Sequence, residues 1–315
     1  MTSSAADQPH EQDAANVLFE LFGEPVTNVR RFPTGIGHWV YEVRTEGTVR
    51  VVKMGLAAQH ENFAGAVHWS TVLRPLGVPL PELLAHGTRR GLPYAVLEYL
   101  EGEDLGRVYS ILSPDERRAI AERVWDVQNV LAKLPHEKGY GFMRVPGGSL
   151  HPSWAAVVDA SIARSRGRIE TARVVDSRWV ERVSKAAQPF SAYFAQVAPR
   201  AFLDDATTKN VLVHDGQFSG IVDVDWLCFG DPLFTVALTR AAILYAGNIP
   251  DYTDHWCALL GVTQQQQAAV RFYTALFCLD FMSELGQTFN REREAIAPER
   301  VERLESVLER HLDAA

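Results

Sequence analysis

The chain is poor in cysteine, in runs of basic residues and in long apolar runs, and each scarcity removes a class of protein. Its three cysteines, Cys228, Cys257 and Cys278, are far apart, with no Cys-x-x-Cys pair and no histidine cluster beside them. Neither a disulfide framework nor a zinc site is expected, and a reduced, cytoplasmic setting fits. There are 31 basic against 39 acidic residues, a formal charge of -8, and no long Lys/Arg run. Nucleic acid is therefore not an expected partner. The most apolar late stretch, residues 236–243, is interrupted by Arg240 and is far shorter than the roughly 20 residues that a bilayer core requires. No membrane partner is expected. Residues 1–13 have neither the basic start nor the apolar run of a signal peptide and read as a disordered tail.

What is present is an ordinary globular composition, 315 residues of which 47% are hydrophobic, enough to bury a core without staples. The first hundred residues have antiparallel character. Trp39-Val40-Tyr41-Glu42-Val43 and Val49-Arg50-Val51-Val52-Lys53 flank a short turn, and residues 83–87 and 94–99 flank another at Arg89-Arg90-Gly91. Between them, Phe63, Val67, Val72 and Leu76 predict a helix over 57–76 that Gly77-Val78-Pro79 stops. From residue 102 the pattern turns helical. Ser113-Pro114-Asp115-Glu116 is a capping box with proline at the first helical position, leading into a helix that should end near Pro135. Residues 139–153 read as a loop. Further helices are expected over 154–166 and 177–194 and from 226 to the end. The exception is a hairpin over 210–226, turning at His214-Asp215-Gly216. The expected organisation is thus α+β in two lobes, a sheet-rich unit over 14–101 and a largely helical one over 102–315.

Acids gather at both ends of that hairpin: Leu203-Asp204-Asp205, then Asn210 five residues after Asp205, then Val222-Asp223-Val224-Asp225-Trp226 and Gly230-Asp231-Pro232. An aspartate, an asparagine and a second aspartate at these spacings can converge three oxygen ligands on one spot. Phosphoryl transfer from ATP uses such a set, with one carboxylate orienting the attacking hydroxyl and an amide and a second carboxylate holding Mg²⁺. Asp-x₄-Asn is also the spacing of the protein-kinase catalytic loop. Taken singly, Asp205 or Asn210 could merely cap a turn. Asp204 and Asp225 read either as acids supporting the ligands or as solvated loop carboxylates, and Asp231 as a helix cap or a brace of the loop.

These motifs make the chain similar to the aminoglycoside phosphotransferase and choline-kinase-like family, small-molecule relatives of the protein kinases, over about residues 26–285. The resemblance implies a protein-kinase-like two-lobe fold and ATP-dependent phosphorylation of a hydroxyl on an aminoglycoside-type antibiotic or related polar metabolite. By it, Asp205 is the catalytic-loop aspartate, Asn210 a metal ligand and Asp223 the principal metal carboxylate, with ATP and Mg²⁺ as cofactors. Two positions depart from the pattern. Leu203-Asp204 stands where relatives carry His-Gly, and Thr235 where an acid often follows Gly-Asp-Pro. A protein kinase is the poorer match, since Asp-Phe-Gly and Ala-Pro-Glu are both lacking. The departures instead motivate an alternative, a catalytically silent nucleotide-binding protein.

The first lobe supplies the rest of a nucleotide cleft. Gly35 and Gly37, in Thr34-Gly35-Ile36-Gly37-His38, would let backbone approach phosphates, although Gly-x-Gly is more often a simple hairpin turn. Lys53, at the end of its strand, is placed to pair with the α- and β-phosphates. Glu61 is the only carboxylate between Lys53 and Pro81 and is assigned as its partner by elimination. Glu98 and Tyr99 begin a segment resembling the hinge that binds the adenine edge, with Ile36, Val51 and Leu97 as apolar walls. Asp204, Asp225, Asp280 and Glu284, with Trp154, Trp226, Trp256 and Tyr273, would suit a polar or cationic acceptor, unless the aromatics fill the core. His10, His60, His68, His86, His136, His151, His214 and His255 occur singly and are expected to bind no metal.

Overall fold

The computed structural model describes residues 8–33, 37–135, 138–148, 150–287 and 296–314. Three consecutive strands, β1 (Val26–Arg31), β2 (Trp39–Thr45) and β3 (Val49–Met54), form an antiparallel meander, which β4 (Leu83–Arg89) and β5 (Leu92–Glu98) extend in the order β1-β2-β3-β5-β4. Alternation along β3 sorts its side chains. Val52 and Met54 are buried among Tyr41, Val43 and Val96, whereas Val51 and Lys53 line the cleft on the opposite face.

The buried face is covered by α1 (Glu11–Phe22), whose Ala14, Val17 and Leu18 follow the spacing of a helix face. Residues 11–13, assigned to a tail, are therefore helical. Asp13 accepts the His10 N–H at 3.1 Å and pairs with Arg89 at 3.2 Å, which fixes the helix start. On the cleft side runs α2 (His60–Leu73), shorter than predicted and flanked by single 3₁₀ turns. It buries Phe63, Trp69 and Leu73, while Leu76 is 47% exposed. The buried stripe is therefore not that of Val67, Val72 and Leu76. Trp69 decides it, because its indole N–H finds a buried acceptor, Met143 O, at 3.0 Å.

In the second lobe a short strand β6 (Glu103–Asp104) leads into α3 (Leu105–Val108) and α4 (Pro114–Leu131), the latter opened by the Ser113–Glu116 capping box. The segment read as loop over 139–153 contains a strand, β7 (Gly141–Met143). Then come α5 (Trp154–Ala172), α6 (Arg178–Ala187) and α7 (Ser191–Phe194), followed by β8 (Arg200–Phe202) and a hairpin of β9 (Val211–His214) and β10 (Gln217–Ile221). The hairpin stops at Ile221, so Asp223 lies beyond the strand rather than in it. The chain re-enters a sheet only at β11 (Leu227–Gly230), which pairs with both β7 and β8. Four helices finish the lobe: α8 (Leu233–Tyr245), α9 (Asp251–Leu260), α10 (Gln264–Glu284) and α11 (Pro298–Asp313). Among the described residues no helix is long and apolar enough to cross a membrane.

Two separate apolar cores result, one under α1 and one around α10. Between the lobes, apolar walls meet a charged base to which the segment after β10 brings Asp223 and Asp225.

Candidate active site

A cleft of about 470 Å³ lies between the lobes, within the range of small-ligand sites. Val40, Val51, Ala95 and Leu97 form its upper wall and Leu212 and Ile221, from the hairpin, its floor. Val51 and Leu97 were legible in the sequence. The floor was not, because Leu212 and Ile221 become neighbours only through pairing of β9 with β10. Gly35 and Ile36 lie outside the described residues. Gly37 lines the cleft, and its carbonyl accepts a hydrogen bond from Gln59 Nε2 at 2.6 Å. Glu98, Tyr99 and Leu100 border the cleft at the lobe junction. The N–H of Glu98 is already given to Glu82 O at 2.8 Å, whereas among the described residues no hydrogen bond engages the N–H of Tyr99 or Leu100.

Lys53 is 5% exposed and reaches two carboxylates of the second lobe: Nζ stands 2.6 Å from Asp223 Oδ1 and 2.5 Å from Asp225 Oδ1. Glu61 is not its partner. It lies exposed in the first turn of α2, with no ion pair among the described residues. Burial alone would drive Lys53 towards the neutral amine, but the two aspartates outweigh it and keep the ammonium charged. Burial likewise works to raise the Asp223 carboxyl and the ammonium overcomes it, leaving Asp223 well below the ordinary range. For Asp225 burial prevails and its carboxyl is raised. Asp223 has φ +63°, a left-handed conformation that aspartate tolerates better than most residues and that turns its carboxylate, 44% exposed, into the cleft.

The loop after β8 holds Asp205 in the open. Its side chain is 29% exposed, accepts from Thr207 Oγ1 at 2.7 Å, and pairs with Lys209 Nζ at 3.1 Å. Asn210 Nδ2 donates to Asp205 O at 2.9 Å, which leaves Oδ1 as the atom Asn210 can offer a cation. The sequence reading missed Lys209, although an acid and a lysine four residues apart was a visible pattern.

Both departures from the family pattern are filled structurally. At Leu203, the Gln128 amide clamps the backbone twice, Nε2 donating to Leu203 O at 2.8 Å and Oε1 accepting from Leu203 N at 3.0 Å. At Thr235, the hydroxyl donates to Asp204 O at 2.9 Å. Asp231 does both things expected of it, accepting from Leu233 N at the start of α8 and from Tyr193 and Tyr273. Gly230 just before it is obligatory, since φ is +157° and a Cβ would stand 2.1 Å from the Trp154 ring.

Asp204 is a loop support, not a solvated acid. It is 8% exposed and accepts from Trp226 Nε1 at 3.0 Å. Burial, and then the neighbouring Asp205 charge, push its carboxyl up to about 7 against an ordinary value of 3.8. The unfolded chain therefore ionises this group before the folded one does, and the native state loses stability as pH climbs from about 4 to 7. Asparagine keeps the acceptor for Trp226 and removes the buried charge. Asp204→Asn is expected to raise the thermal midpoint by a few degrees at pH 8 and to leave it unchanged near pH 4, by calorimetry at both pH values. A gain confined to low pH would contradict this burial.

The outer residues proposed to greet a cationic acceptor are otherwise engaged. Trp154, Trp256 and Tyr273 are fully buried, with Trp154 Nε1 donating to Tyr273 OH at 2.7 Å and Trp256 Nε1 to Ala121 O at 2.8 Å. They fill the core. Asp280 is neutralised by Arg164 at 3.2 Å and Arg168 at 3.5 Å, and Glu284 lies 3.9 Å from Arg168.

The donor set at the cleft's base suits a hard divalent ion. Asp223 offers an exposed carboxylate and Asn210 an amide oxygen beside it, both oxygen ligands of the kind Mg²⁺ takes while retaining water. His38 also approaches, its Nδ1 lying 3.6 Å from Asp225 Oδ2, and His38, Asp223 and Asp225 present ligand atoms within 4.8 Å of one another. The sequence offered no sign of this histidine's place.

The same fold recurs among solved proteins. A thermostable mutant of aminoglycoside phosphotransferase APH(4)-Ia, in its apo form, superposes with a TM-score of 0.73 at 17% identity, over 95% of this chain and 98% of that one. A mutant of that enzyme in ternary complex with AMP-PNP and hygromycin B scores 0.68 at 17% identity over 96% and 98%. The GDP complex of an aminoglycoside 2'-phosphotransferase-IIIa mutant scores 0.70 at 15% over 97% and 98%. No curated protein sequence matches at a significant level. The family model described as "Phosphotransferase enzyme family" matches residues 28–273 and so spans β2 to β11, the cleft and the loop that carries Asp205. The chain belongs to the phosphotransferase enzyme family.

Proposed function

We propose that the chain is an ATP-dependent phosphotransferase that moves the γ-phosphoryl group of ATP to a hydroxyl of a small molecule, an aminoglycoside-type compound or a related polar metabolite. The observation that carries this reading is the meeting, across the lobe boundary, of Lys53 with Asp223, whose neighbour Val222 donates its N–H to Asn210 O at 2.9 Å beside the Asp205 loop. Family membership and the nucleotides bound by similar folds support it.

In this reading Tyr99 and Leu100 hold the adenine edge between Val51 and Leu97 above and Leu212 and Ile221 below. Lys53 neutralises the α- and β-phosphates. Asp223 and Asn210 hold Mg²⁺, which when bound offsets the charge developing between the β- and γ-phosphates. Asp205 orients the acceptor hydroxyl. The hydroxyl oxygen bonds to the γ-phosphorus, the bond to the leaving ADP oxygen breaks, and Asp205 takes the proton late. Lys209, 3.1 Å from Asp205, stands where it can balance the incoming phosphoryl charge.

Incubation with Mg·ATP and a library of aminoglycosides and hydroxylated metabolites, read by mass spectrometry, is expected to show one acceptor gaining a single phosphoryl group. A nucleotide-dependent rise in thermal midpoint, with no phosphorylated product from any acceptor, would favour the silent nucleotide-binding protein instead.

A further inference from the structure

We infer that Asp225 is the positioning residue for Lys53, taking the place of an acid on α2, and that by holding the lysine it leaves Asp223 able to take a metal ion; this rests on reading the cleft as a nucleotide site. Four observations converge on it. Lys53 Nζ is 2.5 Å from Asp225 Oδ1, as close as its contact with Asp223. Asp225 is 5% exposed whereas the Asp223 carboxylate is 44% exposed, so one acid is placed to anchor and the other to receive.

The third observation concerns α2. One helical turn beyond Glu61, at Gly65, the helix meets the second lobe so tightly that a Cβ would stand 2.1 Å from Asp225 O and 3.2 Å from Arg144 O. Only glycine fits there. The helix thus docks on the backbone of Asp225 itself, and the α2 residues that line the cleft with Lys53, Ala66 and Ser70, carry no acid. The fourth is the other oxygen of Asp225: Oδ2 faces His38 Nδ1 at 3.6 Å, and the His38 ring packs edge-on against Phe63 of α2. Asp225 is held from three elements. It is built in as a fixed point.

Charge arithmetic gives the consequence. One ammonium between two carboxylates leaves the base of the cleft with a net negative charge, which attracts a divalent cation to Asp223. With asparagine at 225, Lys53 would be left to Asp223 alone, and cation and lysine would compete for the same carboxylate.

A double-mutant cycle tests this on the full chain, with Mn²⁺ and AMP-PNP as probes and calorimetric binding as the readout. Asp225→Asn is expected to weaken Mn·AMP-PNP binding about tenfold, the scale of one charge-assisted hydrogen bond. In a Lys53→Met background the same substitution is expected to cost less than about twofold, because its effect passes through the lysine. Equal losses in both backgrounds, or none in the parent, overturn the proposal. So does Glu61→Ala weakening binding more than Asp225→Asn. A parent chain that binds no Mn·AMP-PNP at all instead overturns the nucleotide-site reading, which keeps the two failures apart. Thermal midpoints of the same four chains serve if Asp225→Asn is too unstable to bind: the double variant is expected to melt above Lys53→Met alone, since asparagine removes the buried Asp225 charge that loss of the ammonium leaves unpaired. A double variant melting no higher overturns the proposal.

Discussion

Asp205→Asn is expected to bind Mg·ATP as tightly as the parent while kcat falls at least about a hundredfold, the scale on which a positioned general base contributes. The reason lies in what each side chain touches. On the proposed reading, binding falls to Lys53, Asp223, Asn210 and the apolar walls, none of which needs the Asp205 carboxylate. Asparagine keeps the size of the group and the acceptor for Thr207 Oγ1, at 2.7 Å, so the loop is retained. What is lost is the charge that pairs with Lys209 at 3.1 Å and that, on the proposed mechanism, would draw the proton from the acceptor hydroxyl. Those effects belong to the transition state. Steady-state kinetics against an identified acceptor, with separate nucleotide titration, check it. Intact turnover in the Asn variant would overturn the mechanism, and losses from Asp204→Asn equal to those from Asp205→Asn would place the loop register one residue away.

Much of this site was legible in the sequence because its acids lie close together in the chain. Asn210 and Asp223 flank one hairpin and both line the cleft, and short-range spacing suffices to bring them there, with the Asp205 carbonyl bonded to Asn210 Nδ2. Lys53 was readable from its strand end. Its partners were not, because the pairs with Asp223 and Asp225 join residues 170 and 172 positions apart. The neighbouring helix α2 carries one carboxylate, Glu61, whereas the fold delivers the partners of Lys53 from the other lobe. Gly65 could have warned against a helix partner, but a glycine within a helical pattern does not say what stands against it. The aromatics failed for a different reason. Trp154, Trp256 and Tyr273 each find a polar partner inside the core, so an apolar ring with a polar tip was satisfied without reaching solvent.

The two departures from the family pattern illustrate the same limit. Leu203 and Thr235 suggest a weakened loop when read one residue at a time. The structure supplies the support from elsewhere, through the Gln128 side chain on α4 and the Thr235 hydroxyl itself. Both hold backbone atoms of the segment that carries Asp205. A pattern built on side-chain identity at fixed positions cannot register a brace that arrives from residue 128.

Asp223→Ala is expected to abolish metal-dependent turnover while the chain stays folded. Its carboxylate is 44% exposed and packs in neither apolar core, so truncation opens no cavity. Lys53 keeps Asp225 as a partner at 2.5 Å and is not left as an unpaired buried charge. One structural cost remains. The backbone here has φ +63°, where alanine is disfavoured by about 1–2 kcal/mol. Asp223→Asn separates the two effects, because asparagine accepts the left-handed conformation and still removes the charge that a divalent ion requires. Both variants are therefore expected to lose turnover, and the Asn variant to melt closer to the parent. Metal titration of nucleotide binding, followed in both variants beside circular dichroism, measures this directly. Near-normal turnover in either folded variant would remove Asp223 from the site and leave Asn210 without a carboxylate to share a metal.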